Sequence, residues 1–177
     1  GPLSVGKNIQ FGFFEYMGYT SWVKRGDEEP LETSANDFKQ RTNYWLSYSK
    51  PLVYTWHLLN FIGEETIDSI FHNYYEDWKF RHPYPEDYFS YFSKYSDKDL
   101  SWYTRDVFYS TGRVDYSVSI EGSEAVFRNR GNLTLPFEAA FYDKKGTEIS
   151  RHWYENVKRF RRVTLPEGAK SVKIDPD

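Results

Sequence analysis

The spacing of apolar residues changes once along this chain, near Gly112, and this change constrains the fold more than any other feature. Before it, apolar side chains recur every three or four residues, which is the period of a helix with one buried face. After it, apolar and polar residues alternate over 114–120, which is the period of a strand with one buried face. The sequence therefore predicts an α+β protein whose helices and strands are segregated.

The first part contains patterns for about five helices, in a bundle-like segment. We expect them to begin near residues 8, 37, 64, 85 and 100. Pro51 must end, kink or start a turn in the second helix, because its ring removes a backbone donor and crowds the preceding turn. Tyr48 would then lie at a break. The last helix follows Ser96–Asp99, which is a variant of the capping box.

The second part predicts a small antiparallel β-sandwich of immunoglobulin-like type. Glycine-containing turn signals separate six or so short segments, at 121–122, 129–132, 144–146 and 166–168. We therefore divide the chain into a helical domain, 5–110, and a β-sandwich domain, 111–177. Residues 1–4, Gly-Pro-Leu-Ser, are typical of a tag remnant left by a protease.

Composition excludes several classes of protein. Aromatic residues make up 20% of the 177 residues, enough to fill a core, so a disordered chain is excluded. The absence of cysteine excludes a disulfide scaffold, an iron–sulfur cluster and a cysteine nucleophile. A formal charge of −3 argues against a nucleic-acid partner, and no apolar run approaches the length of a membrane span.

Charged clusters have ordinary interpretations. The basic tract 158–162, Lys-Arg-Phe-Arg-Arg, could hold phosphates or acidic glycans. Charges on an edge strand also prevent sheet-to-sheet aggregation, and we favour that interpretation. The acidic clusters 27–29, 76–77 and 86–87 are best explained as a solvated loop or helix termini.

The residues alone predict no metal or cofactor in this chain. The four histidines have no i, i+4 pair, and His-Glu-x-x-His is absent. A glycine-rich phosphate loop and a Gly-x-Ser-x-Gly elbow are absent too. Tyrosine is abundant, and a phenol can donate a hydrogen bond to an oxyanion, but abundance singles out none of the 16.

Five ordered segments carry a family resemblance. They are 43–51 (NYWLSYSKP), 58–65 (LLNFIGEE), 75–80 (YEDWKF), 85–89 (PEDYF) and 96–103 (SDKDLSWY). Together they resemble the gluzincin zinc aminopeptidases, the relatives of membrane alanyl aminopeptidase and leukotriene-A hydrolase. The likeness extends into the strands at 114–116, 129–131, 135–137 and 174–177. Pro51 replaces the glycine of the family's Tyr-x-Lys-Gly motif, as in a bacterial branch.

The resemblance implies a role for three residues. Tyr48 would donate its hydroxyl to the oxyanion of the tetrahedral intermediate, with Lys50 and Pro51 supporting the motif. Residues 5–110 would be the helical C-terminal part of a peptidase catalytic domain. The family's zinc ligands precede this motif, and residues 1–47 contain no His-Glu-x-x-His. We therefore expect zinc and a peptide substrate only in an intact protein with an upstream catalytic subdomain, and no activity from this chain alone.

A second hypothesis comes from another class. The chain could be a non-catalytic module that binds glycans or peptides through exposed aromatic side chains. Burial of every tryptophan, at 22, 45, 56, 78, 102 and 153, together with no quenching of their fluorescence by a panel of glycans, would contradict it. Neither hypothesis fixes substrate preference, oligomeric state, a ligand of the β-sandwich or compartment. For the intact protein we would assign the cell envelope or the extracellular space.

Overall fold

Helices precede strands along the chain, so the predicted segregated α+β class is confirmed. The computed structural model describes residues 13–26, 28–39 and 41–176. It divides the chain into two compact units, with the division between Thr111 and Gly112. The tag-like residues 1–4 lie outside the described residues.

The helical unit contains four α-helices and a π-helix within the described residues, which agrees with the expected number of about five. They are α1 (Phe13–Val23), α2 (Arg41–Ile62), α3 (Glu64–Trp78), α4 (Pro85–Tyr95) and the π-helix (Trp102–Val107). No helix in this part of the chain is both long and apolar enough to cross a membrane.

Helix α2 differs from its predicted form in two ways. It begins at Arg41 rather than near residue 37, and it continues through Pro51 instead of ending or turning there. Tyr48 therefore lies inside a helix and not at a helix start. An internal proline costs about 3 kcal/mol or more in a helix. Four buried side chains spaced one turn apart offset that cost by packing on both sides of the proline; they are Leu46, Lys50, Tyr54 and Leu58.

Helices α3 and α4 form a helical hairpin with an aromatic core. Gly63 separates α2 from α3 and has a φ of 86°, a conformation that glycine adopts without steric cost. Pro85 opens α4, where the Asp87 carboxylate accepts a hydrogen bond of 2.8 Å from the Tyr84 N–H. Phe92 is fully buried, and its ring packs edge-on against Tyr88. Burial raises the pKa of Tyr88 far above its ordinary range.

The last helix of this unit is a π-helix, which the sequence does not predict. The predicted capping box does not form: Ser101 is the N-cap, without a side-chain capping bond, and the Asp99 carboxylate accepts a 2.9 Å hydrogen bond from the Ser101 N–H. Ser96 instead terminates α4. The predicted apolar stripe is nevertheless buried, through Tyr103 and Val107.

The β unit contains six short strands in two antiparallel sheets. The strands are β1 (Tyr116–Glu121), β2 (Glu124–Asn129), β3 (Phe137–Tyr142), β4 (Glu148–Tyr154), β5 (Phe160–Thr164) and β6 (Ser171–Ile174). One sheet has the order β1-β2-β5 and the other β4-β3-β6. The predicted tract 158–162 therefore supplies an edge strand, since β5 pairs only with β2 in the described sheets.

Alternate residues of both sheets form one apolar core. Ala125 and Phe127 of β2 pack with Phe137, Ala139 and Phe141 of β3. The intervening residues Val126 and Ala140 are buried as well, so the middle of both strands is covered on both faces and departs from a simple period of two. Two three-stranded antiparallel sheets are therefore established, and the immunoglobulin-like assignment stays a prediction.

The Tyr116 side chain connects β1 to the backbone of Leu135 at the edge of this core. Its replacement gives a first testable prediction. Its hydroxyl donates to the Leu135 carbonyl at 2.9 Å and accepts from the Leu135 N–H at 3.1 Å. Tyr116→Phe leaves both groups without that partner, and we expect a loss of about 1–3 kcal/mol in the free energy of unfolding at pH 7.

The same variant should change how the free energy of unfolding depends on pH above pH 10. Burial raises the pKa of Tyr116 to about 12, from an ordinary value of 10.0. Between these values the folded state holds a proton that the unfolded state has released, so stability falls as the pH rises. Urea unfolding of both proteins between pH 8 and 12 measures this: the deficit of the variant should shrink above pH 10. A constant deficit would contradict the assignment.

Candidate functional site around Tyr48 and Lys50

Helix α2 presents two opposite faces. Leu46, Lys50, Tyr54 and Leu58 follow one another at intervals of four and are all buried. Positions 48 and 50 are two residues apart, which places their side chains about 200° apart around the helix. Tyr48 is accordingly 60% exposed, while Lys50 is 0% exposed. Tyr48 and Lys50 therefore have separate surroundings.

Lys50 is the buried cation of the helical unit. Its Nζ lies 2.7 Å from Oε1 of Glu28, whose side chain is 2% exposed. The same Nζ donates a hydrogen bond of 2.9 Å to the carbonyl of Ser110. The Glu32 N–H also donates to the Phe108 carbonyl, at 3.2 Å. The segment after α1 and the end of the π-helix are thus both attached to the middle of α2.

Burial and charge act on Lys50 in opposite directions. Removal from water lowers the pKa of Lys50, and the Glu28 carboxylate beside it opposes this change. The Glu28 carboxylate, with Oε1 at 2.7 Å from Nζ, compensates the buried ammonium group. A pair of this kind strongly resists the loss of one partner, because the other charge would remain buried and uncompensated.

A tyrosine pair extends the polar contacts one turn further along α2. The Tyr54 hydroxyl lies 3.2 Å from the Tyr19 hydroxyl of α1. Burial raises the pKa of Tyr54, and the nearby Glu28 charge adds to the rise. Polar contacts therefore connect α1 and the following loop to the buried face of α2, opposite Tyr48.

Glu28 corrects one expectation from the sequence. The cluster 27–29 was predicted to be a solvated loop, but the Glu28 carboxylate is buried against Lys50; Asp27 lies outside the described residues. The signal that could have shown this is the position of Lys50. A lysine within the i, i+4 stripe of Leu46, Tyr54 and Leu58 must enter the core with an anion.

Helix α2 carries a second exposed aromatic side chain, Trp56, besides Tyr48. Trp56 is 50% exposed, and eight residues place it about 12 Å further along the helix axis, rotated by about 80°. Pro51 lies between Tyr48 and Trp56 in the sequence. Because Trp56 is half exposed, the condition that would contradict the binding-module hypothesis is not met. The side chain of Trp45 lies outside the described residues, whereas Trp102 is buried.

The described residues provide no set of zinc ligands. Residues 13–26, 28–39 and 41–176 contain no group of three His, Asp or Glu side chains placed to hold a metal ion. The zinc that the resemblance implies does not fit this chain, and no chemical step can be assigned to it here. Comparison with protein-family models and with curated proteins gave no match. The interpretation of Tyr48 therefore depends on its motif and its geometry.

Proposed function

We propose that this chain supplies the oxyanion-stabilising tyrosine of a zinc aminopeptidase of the gluzincin type, and that the zinc ligands belong to residues outside these 177. The observation that supports the proposal is the exposed position of the Tyr48 side chain. Its side chain is 60% exposed on a helix whose opposite face is fixed by the buried Lys50–Glu28 pair. A donor held in this way needs little reorganisation when negative charge develops beside it.

The chemistry follows from the phenol. As the attacked carbonyl of the substrate becomes tetrahedral, its oxygen gains negative charge. A hydroxyl that already points at that position donates a hydrogen bond that is stronger in the transition state than in the ground state. Tyr48 would therefore contribute to kcat rather than to substrate affinity, and Lys50 would act through the helix that carries it.

The test uses the intact natural protein, loaded with zinc, and an aminoacyl p-nitroanilide. For Tyr48→Phe we expect kcat to fall by about 10²- to 10³-fold, which is the usual effect of removing one oxyanion donor. The KM, the bound zinc and the circular dichroism should stay unchanged. The 177-residue chain alone should not hydrolyse the substrate. An unchanged kcat in the variant would refute the role of Tyr48.

Trp56→Ala is the matched control, since Trp56 lies on the exposed face of the same helix. It should leave kcat nearly unchanged. The alternative function, a module that binds glycans or peptides, is favoured by the same two exposed rings. In that case Tyr48→Phe and Trp56→Ala would both weaken ligand binding, and no hydrolysis would be found in the intact protein.

A further inference from the structure

A shallow concavity on the β unit carries four arginines. It lies on the outer face of the β1-β2-β5 sheet and has a volume of about 290 Å³. Its lining includes Val126, Arg128, Arg130, Arg159, Phe160 and Arg162. Ala125 and Phe127 point into the core, so the residues that alternate with them point outward. Cross-strand pairing then places Arg162 beside Val126 and Phe160 beside Arg128.

Two of the four guanidinium groups are already compensated by acidic residues. Arg128 forms an ion pair with Glu121. Arg162 forms two, at 2.9 Å to Glu121 and 3.0 Å to Glu124. These four residues are neutral as a group and occupy one end of the sheet face.

The other two guanidinium groups are not compensated. Arg130 and Arg159 are exposed, and neither forms an ion pair with an acidic side chain in the described part of the chain. Both line the concavity. Two residues with uncompensated positive charges therefore border the same small concavity.

The concavity also has apolar lining residues. Phe160 is 65% exposed, and Val126, which pairs with Arg162, is 1% exposed and also lines the concavity. Protection of the β5 edge against aggregation explains the charged residues of this strand, and Phe160 adds an exposed ring beside them. Cations together with an exposed ring suit a ligand that has both an anionic group and an apolar face.

We propose that this concavity binds a phosphate or sulfate ester of a molecule the size of one sugar ring. The guanidinium groups of Arg130 and Arg159 donate hydrogen bonds to the ester oxygens. The planar arrangement of their N–H groups matches the geometry of an oxoanion. Phe160 contacts the ring of the ligand. The volume of about 290 Å³ lies just below the usual range for small-molecule sites and suits a ligand group of about one ring. The proposal concerns the β unit alone and does not depend on Tyr48.

The test is a titration of the 177-residue chain with glucose 6-phosphate, glucose 6-sulfate and glucose at low salt, followed by amide NMR. Saturable shifts should appear at residues 126–131 and 159–162 with the two esters and not with glucose. The tighter ester identifies the source of the oxoanion. The absence of saturable shifts with both esters would overturn the proposal.

Three variants, each losing one positive charge, separate a site from general attraction. Arg130→Gln and Arg159→Gln should each raise the Kd about tenfold, as expected for a lost hydrogen bond to a charged group. Arg161→Gln is the matched control, because its guanidinium lies over the Tyr154 ring, 5.3 Å from the centroid, and does not line the concavity. It should change the Kd by less than about twofold. Equal weakening in all three variants would overturn the proposal.

The role of Phe160 has its own readout. Phe160→Ala should weaken the binding of glucose 6-phosphate by at least about threefold, since an apolar contact is lost. Binding of inorganic phosphate, which has no ring, should be unchanged. Equal loss for both probes, or no loss for either, would contradict the contact with the ring.

Discussion

Replacing Lys50 by methionine is expected to destabilise the helical unit by about 3–5 kcal/mol, the usual cost of leaving one partner of a buried ion pair. Methionine fills a similar volume, so packing is nearly preserved and the effect comes from charge. The Glu28 carboxylate would remain 2% exposed without its cation, and the Ser110 carbonyl would lose its donor. A loss below about 1 kcal/mol would mean that Glu28 reaches water at little cost.

The double variant Lys50→Met/Glu28→Leu is the matched control. It removes both charges, and hydrophobic replacement of a buried pair is often neutral or stabilising. The free energy of unfolding should therefore recover to within about 1–3 kcal/mol of that of the natural protein. The remaining loss comes from the Ser110 carbonyl, which has no donor in the double variant. Urea unfolding followed at 222 nm measures this, because the helices dominate that signal. A double variant as unstable as the single one would assign the effect to packing.

Replacing Gly131 by alanine should destabilise the β unit by about 3 kcal/mol or more, at or above the upper end for overpacking. A Cβ at Gly131 would lie 2.2 Å from the Arg113 carbonyl oxygen and 2.7 Å from the Asp115 nitrogen. Both atoms belong to the backbone and cannot rotate away. The Arg113 carbonyl also accepts hydrogen bonds from Asn132 and Leu133, each of 3.0 Å, which any shift would break.

Gly146→Ala is the control for this effect. Gly146 lies in a turn of the same unit with φ 82°, and no atom is within 4 Å of a Cβ placed there. Only the left-handed conformation opposes alanine at this position, at a cost of about 1–2 kcal/mol. Thermal unfolding followed by Trp153 fluorescence in chains lacking the other tryptophans would compare the two. Equal losses would show that residues 113–115 move aside without cost.

The helices and strands could largely be predicted, because their periods come from burial on one face. The stripe of α3 and the alternation of β1 are visible in the sequence. The continuation of α2 through Pro51 could not be predicted, since packing of Leu46 and Tyr54 against distant segments outweighs a local preference. The π-helix was missed because Leu100, Tyr103 and Val107 fit an ordinary helix equally well.

The candidate site was predictable only in part. A motif resemblance singles out Tyr48, and its exposure depends on which face of α2 meets the core. The partner of Lys50 could not be identified from sequence, because Glu28 belongs to a charged loop that is usually solvated. The unequal compensation of the four arginines depends on cross-strand register, which the basic tract alone does not contain.

The contact between Lys50 and Ser110 joins residues 60 positions apart, and this separation sets an order of events during translation. When α2 emerges from the ribosome, the Ser110 carbonyl has not yet been synthesised. Water must therefore take its place beside the Lys50 ammonium group. Lys50 gains its second partner only after the π-helix has been synthesised, because Ser110 follows it. Nascent chains that stop short of residue 110 would thus expose the apolar side of α2 and become substrates for chaperones.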